Sequence, residues 1–261
     1  MRRAGIRERA RAMLPEPVIR GLKRIRELKP GGQLTIAEGW DKYARKFGSG
    51  QLGEEWNRPD MEGVDVSPEE FVPYLDDTVF GPFLGHVGTL LEIGPGGGRF
   101  TDVLLPRCDR LIAADTSSAM LGRIRERFRH LDKIEFVHLD GKGLRQIGDS
   151  SVDAVFCYGV FVHLQHWDIY NYLAETCRVL RPGGLALIQH SNTFTDEGWA
   201  YFLREVPLQL NRHKLFGTYT VMTPELMAEF ATRAGLEVVE CRTDVVRTEA
   251  ISMFRRPDGS S

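Results

Sequence analysis

The chain has 261 residues, a formal net charge of −2, and 42% hydrophobic against 27% charged residues. That length suits one α/β domain with additions, or two small domains, and the near-neutral balance gives no reason to expect nucleic acid as a partner. No apolar run reaches the roughly 18 residues of a membrane span, and the charged amino terminus lacks the apolar segment of a secretory signal.

Cys108, Cys157, Cys177 and Cys241 are widely spaced, with no Cys-x-x-Cys pair. Reduced thiols in a cytoplasmic protein are therefore expected. Residues 1–29 hold ten basic residues against three acids, a local +7 that leaves −9 for the rest of the chain. Ile6, Ala10, Met13 and Leu14, then Val18, Ile19, Leu22, Ile25 and Leu28, recur at helical spacing. They predict a basic amphipathic arm over residues 1–30. Such an arm serves packing or a homodimer, or it draws the protein to an anionic surface such as a membrane headgroup layer.

Residues 31–88 read as a helical cap. Trp40, Tyr43 and Phe47 share a helical face, and Trp56 follows the loop at 48–50. Ser67-Pro68-Glu69-Glu70 is a helix start with a capping serine, Pro at the first helical position and an acid at the third. The helix should pass through Phe71, Leu75 and Val79 and stop near Gly81-Pro82, with Pro73 as a weak point.

From Thr89 the pattern alternates. Strands are predicted at Thr89–Ile93, Arg110–Asp115, Ile134–Leu139, Val152–Tyr158 and Leu185–His190, with helices at Arg99–Leu105, Ser117–Phe128 and Asp168–Leu180. Strands alternating with helices in this way predict a doubly wound parallel sheet. Arg181-Pro182-Gly183-Gly184 should end a helix and turn into the fifth strand. Residues 191–222, with Trp199, Tyr201, Phe202, His213, Phe216 and Tyr219, read as an inserted lid. Thr223-Pro224-Glu225 opens another helix, which ends at Gly235. Leu236–Cys241 and Thr248–Phe254 then form an antiparallel final pair, because their connection is too short for a helical crossover.

The chemistry gathers at strand ends. Glu92 closes the first strand, and Gly94-Pro95-Gly96-Gly97-Gly98 follows at once. Asp115 ends the second strand, where an acid accepts hydrogen bonds from ribose hydroxyls in nucleotide folds. Asp140 and Gly141 follow the third. The dinucleotide fingerprint fails at Arg99, where glycine is required, and the Gly-Lys-Ser/Thr of a P-loop is absent.

This series resembles the class I S-adenosylmethionine-dependent methyltransferases. Their acid-x-Gly-x-Gly-x-Gly motif is carried by Glu92, Gly94, Gly96 and Gly98. Ser151-Val152-Asp153-Ala154-Val155-Phe156 resembles the family's fourth motif, and Val179 to Leu185 resembles its signature before strand five. The resemblance covers about Thr89 to His190. It implies a Rossmann-like, mostly parallel seven-stranded sheet with an antiparallel last strand, over residues 89–256 including the 191–222 lid. It also implies S-adenosyl-L-methionine as cofactor, held by Glu92, Gly94, Pro95, Gly96, Gly98, Asp115, Thr116, Met120, Asp140, Gly141 and Tyr158. Glu92 suits the cofactor's ammonium, directly or through water, and Asp140 suits the adenine amino group.

A hydroxyl acceptor must lose its proton, and histidine is the common base near neutral pH. His163, just past the fourth strand, is the candidate base; the bland alternative is a loop-ordering histidine. His163, His166 and Asp168 together admit a metal reading, but magnesium prefers carboxylates and water to imidazole, so no metal is expected. His190, Asn192 and His213 are second-rank acceptor contacts. The expected function is O-methylation of a small molecule or glycan. N- or C-methylation and a non-catalytic binding module are the alternatives.

Overall fold

The computed structural model describes residues 36–46, 64–212 and 219–259, with the side chains of Ile36 and residues 207–212 left aside. The arm at 1–30, Phe47, Trp56, the loop at 48–50, His213 and Phe216 lie outside the described residues.

Seven strands form one sheet: β1 Val87–Ile93, β2 Cys108–Asp115, β3 Ile134–His138, β4 Val152–Cys157, β5 Leu180–Ser191, β6 Glu237–Arg242 and β7 Glu249–Arg255. Their spatial order is β3-β2-β1-β4-β5-β7-β6. The first five are mutually parallel, and β7 lies antiparallel between β5 and β6.

The inner strands β1, β2, β4, β5 and β7 carry apolar runs because both faces of the sheet are covered there, whereas the edge strands β3 and β6 are more exposed. Side chains alternate across the pleat, so neighbouring residues serve different cores. Leu90, Leu111, Phe156 and Met253 meet Phe71, Phe80, Leu104 and Ile124 on one face. Leu91, Ile112, Val155 and Ile188 meet Ile169, Leu173, Met227 and Ala231 on the other.

Helix α1 spans Ile36–Lys46. Helical segment α2 runs through Phe71–Leu75, a wide π turn at Asp76–Phe80, and Gly81–Leu84. The predicted Ser67–Glu70 pair forms, with the Ser67 N–H donating to Glu70 Oε2 at 3.1 Å and the Glu70 N–H to Ser67 Oγ at 3.3 Å. It closes a turn ahead of the helix, which begins at Phe71 with Glu70 at its N-cap. The segment continues past Gly81-Pro82, where the sequence predicts its end. The Thr78 carbonyl, four residues before Pro82, instead accepts from Arg242 Nη1 at 3.5 Å. The chain turns only at Gly85, with φ 59°.

Helix α3, Thr101–Leu104, is shorter than predicted and gives way to a 3-10 turn at Leu105–Arg107, since Pro106 has no N–H to continue it. Helices α4 (Ser118–Arg127), α5 (His166–Val179), α6 (Asp196–Arg212) and α7 (Pro224–Arg233) complete the set. Ser117 and Thr223 cap α4 and α7 by accepting from Met120 N at 3.1 Å and Leu226 N at 3.2 Å.

One boundary needs correcting. Arg181-Pro182-Gly183-Gly184 does not precede β5 but lies inside it. Leu180 already pairs with Val152, and the register then shifts before Ala154 meets Leu185. The Pro-Gly-Gly sequence makes a bulge, with Gly183 at φ 75°. Asp153 clamps this end of the sheet, accepting from Thr89 N at 2.7 Å and pairing with Arg181.

Candidate active site

Where parallel strands end, backbone groups point outward unpaired and loops diverge, so a crevice opens at the carboxyl edge. Here it is a cavity of about 880 Å³. Sheet order gives it two ends. One is built by the loops after β1, β2 and β3, the other by the loop after β4, by α6 and by the start of β7.

At the first end, Gly94 (φ 67°) and Gly96 (φ 55°) occupy left-handed conformations that side chains resist. A Cβ on Gly96 would meet nothing within 4 Å, so backbone is presented directly to open space. Asp115 is buried and accepts from Ser117 N at 2.8 Å as well as from the Gly96 and Thr116 amides. Burial outweighs those donors and raises its carboxyl to about 6. Asp140 accepts from Lys142 N at 2.8 Å and forms the turn that sets Gly141 at the cavity wall.

The cavity brings together Gly94, Pro95, Gly96, Asp115, Thr116, Met120, Asp140, Gly141, Tyr158 and His163. Glu92 and Gly98 are not on its wall. Gly98 (φ 89°) packs against Phe128, whose ring carbon would lie 2.7 Å from an added Cβ. Glu92 is sealed beneath the turn and accepts from Thr101 Oγ1 at 2.7 Å. Desolvation raises its carboxyl to about 8, so it is largely neutral at pH 7.

Helix α1 roofs the cavity with Ala37, Trp40 and Tyr43. It is fastened by Asp41, which accepts from Ser117 Oγ at 2.6 Å, Ala119 N at 3.1 Å and Ser118 Oγ at 3.5 Å. Ala44 and Met120 form a small apolar contact beside this clasp.

At the second end, a 3-10 turn at Phe161–His163 sets His163 on the wall. Tyr201 and Tyr219 face each other at 4.7 Å, and Tyr219 donates to the Thr248 carbonyl at 2.9 Å. His166 does not converge with His163, because its ring meets the Val221 carbonyl at 2.8 Å. His190 is fully buried between the Ser191 carbonyl and Ser252 Oγ, and burial lowers it to about 4. Asn192 is buried and accepts from Phe194 N at 3.2 Å. Among the described residues, no three His, Cys, Asp or Glu side chains group as metal ligands.

Arg99, Lys142, Tyr172, Thr248 and Glu249 also line the cavity without having been singled out as contacts from sequence. Tyr172 had a usable signal. It lies four residues after Asp168, so on a helix the two share a face, and both reach the wall.

A methyltransferase-domain family model matches residues 91–188. The chain carries a class I S-adenosylmethionine-dependent methyltransferase domain. Human thiol S-methyltransferase TMT1A is 33% identical over 130 residues, covering 48% of this chain and 52% of the relative. A protein of Mycolicibacterium smegmatis named "Probable S-adenosylmethionine-dependent methyltransferase" is 32% identical over 149 residues, covering 57% and 52%. The chain thus spans about half the length of these curated relatives. N-methyltransferase NodS from Bradyrhizobium japonicum WM9, in complex with S-adenosyl-L-homocysteine, shares the fold with a TM-score of 0.57 at 18% identity, over 84% of this chain and 99% of that one.

The residues of this methyltransferase domain fit the family's cofactor. The open face at Gly96 admits close backbone approach, and Asp115, Thr116 and Asp140 line the same cavity. Among the described residues no helix is long and apolar enough to cross a membrane.

Proposed function

We propose that the protein transfers a methyl group from S-adenosyl-L-methionine to a hydroxyl of a small molecule or glycan, with His163 as general base. The bound cofactor supplies an electrophilic methyl on a sulfonium. What the protein must add is alignment of the acceptor, exclusion of water and removal of one proton. Gly94, Pro95, Gly96, Asp115, Thr116, Met120, Asp140 and Gly141 hold the donor. Trp40, Tyr201 and Tyr219 stack on the acceptor's ring. His163 takes the hydroxyl proton as the new bond forms.

The observation that carries this reading is the position of His163 on the wall of the same cavity as the glycine turn, beneath the aromatic roof of α1. A methyl acceptor panel tests it: sugars, phenols, thiols and amines are incubated with the cofactor, and a product gain of one methyl is sought by mass spectrometry. Methylated hydroxyl products support the proposal; cofactor binding with no methylated product removes it.

A thiol acceptor is a second reading, favoured by the similarity to a thiol S-methyltransferase. A thiol ionises far more readily than an alcohol, so a thiol reaction would depend much less on His163. A thiol-only product profile with an active His163→Ala variant would select that reading.

A further inference from the structure

Gln189 lies in β5, fully buried and absent from the cavity wall. Its Oε1 accepts from the Gly159 N–H at 2.7 Å. Its Nε2 is buried and donates to no atom of the described protein. The orientation of the amide is set by chemistry, since a flip would place two donors face to face. An unpaired buried amide donor is costly, and a methionine would fill the site without one. The bond to Gly159 is what a glutamine adds.

Gly159 sits at φ 73° between Tyr158, the first residue past β4, and Val160. Val160 Cγ2 occupies the space that a Cβ on Gly94 would overlap, so it packs directly on the donor's glycine turn. The Val160 carbonyl in turn accepts from the His163 N–H at 2.9 Å. One short path therefore joins a buried core amide, the peptide that meshes with the donor turn, and the ring proposed as base.

From this path we infer that Gln189 is a positioning residue: by holding the Gly159 amide it sets the distance between the donor turn and His163. The inference rests on the proposed role of His163 in transfer. Small misplacements of reacting groups cost rate far more than affinity, which makes the effect separable.

The test compares full-length Gln189→Met and Gln189→Glu, the latter a near-isostere whose carboxyl burial holds neutral, so that it keeps a carbonyl oxygen for the Gly159 N–H. Three readouts are needed: cofactor affinity by calorimetry, turnover, and the titration of the His163 ring by NMR without cofactor. Gln189→Met should lower kcat about tenfold or more with cofactor affinity within about twofold, and should shift the His163 titration. Gln189→Glu should restore most of both. Unchanged kcat and unchanged His163 titration in Gln189→Met overturn the inference, as does a parallel loss of cofactor affinity and stability with no recovery in Gln189→Glu. If the wild type binds cofactor and yields no product, the O-methyl reading fails, while the NMR comparison still decides whether Gln189 sets the His163 ring.

Discussion

The Trp40 indole lies 5.5 Å from the His163 imidazole, tilted by 50°, so a residue of helix α1 touches the ring just beyond β4. The roof and the candidate base are in direct contact although 123 positions separate them. Replacing His163 by Ala should lower kcat by about 10²- to 10⁴-fold for a hydroxyl acceptor, with cofactor affinity nearly unchanged. Steady-state kinetics beside calorimetry check this; turnover equal to wild type removes His163 from the chemistry.

Asp41 holds the roof by three hydrogen bonds to the start of α4. Asp41→Ala strips that clasp and leaves the Ser117 hydroxyl and Ala119 amide without their partner. A loss of about 1–2 kcal/mol in stability is expected, the range of a lost helix cap. Because the roof also covers the donor end, cofactor dissociation should quicken. Stopped-flow displacement measures that rate, and an unaltered rate would mean α1 does not gate the site.

Glu92 supplies a pH dependence whose sign is fixed by burial. Its folded-state carboxyl stands at about 8, above the ordinary 4.5. The folded protein therefore binds the more protons between these values, and stability falls as pH rises from about 4.5 to 8. Asp115 acts in the same direction between 3.8 and about 6. Glu92→Gln keeps an oxygen for the Thr101 hydroxyl and removes the titration. Melting curves should show Glu92→Gln gaining on wild type as pH rises toward 8, by roughly 2–4 °C for each kcal/mol relieved. Parallel curves across that window would show that Glu92 does not titrate as its burial requires.

Gly94 combines a left-handed φ with close contact to Val160. Gly94→Ala adds both strain and overlap, and should destabilise by about 1–3 kcal/mol while abolishing measurable cofactor binding. At Gly96 an added Cβ meets no neighbouring atom but is still strained at φ 55°, so Gly96→Ala should cost only about 1–2 kcal/mol, retain the fold and lose cofactor affinity. Thermal melts with and without cofactor separate the two.

Much of the fold was legible because burial on both faces writes itself as apolar runs. The strands around Leu90, Leu111, Phe156 and Leu187 carry such runs, and Ser67 with Glu70 pair as their spacing suggests, although the helix itself begins only at Phe71. Part of the cavity wall was legible as well, because Gly94, Gly96, Asp115, Asp140 and Gly141 occupy fixed places after the strands and line it.

What sequence did not show has common physical causes. Asp41 and Ser117 meet across 76 positions, and no local pattern encodes a partner that remote. The side-chain direction of Glu92 depends on packing around Thr101, so an acid beside the turn looked exposed to ligand when it is sealed below. Pro182-Gly183-Gly184 fits a turn or a bulge equally well, and only pairing of Leu180 with Val152 decides between them. Glu249 and Thr248 reach the cavity because β7 lies beside β5; the antiparallel last strand was expected, but its insertion between β5 and β6 shows only once the sheet is assembled.

That strand order also imposes a timetable. β6 has a single neighbour, β7, which is made after it yet lies inside the sheet. During synthesis β6 waits unpaired until residues 249–255 emerge, and the cavity lacks the part of its wall that Glu249 supplies until the same moment. A ribosome-stalled chain ending before Glu249 should therefore show a protected β1–β4 core with β6 open to proteolysis, its cavity closed on every side but the one β7 completes.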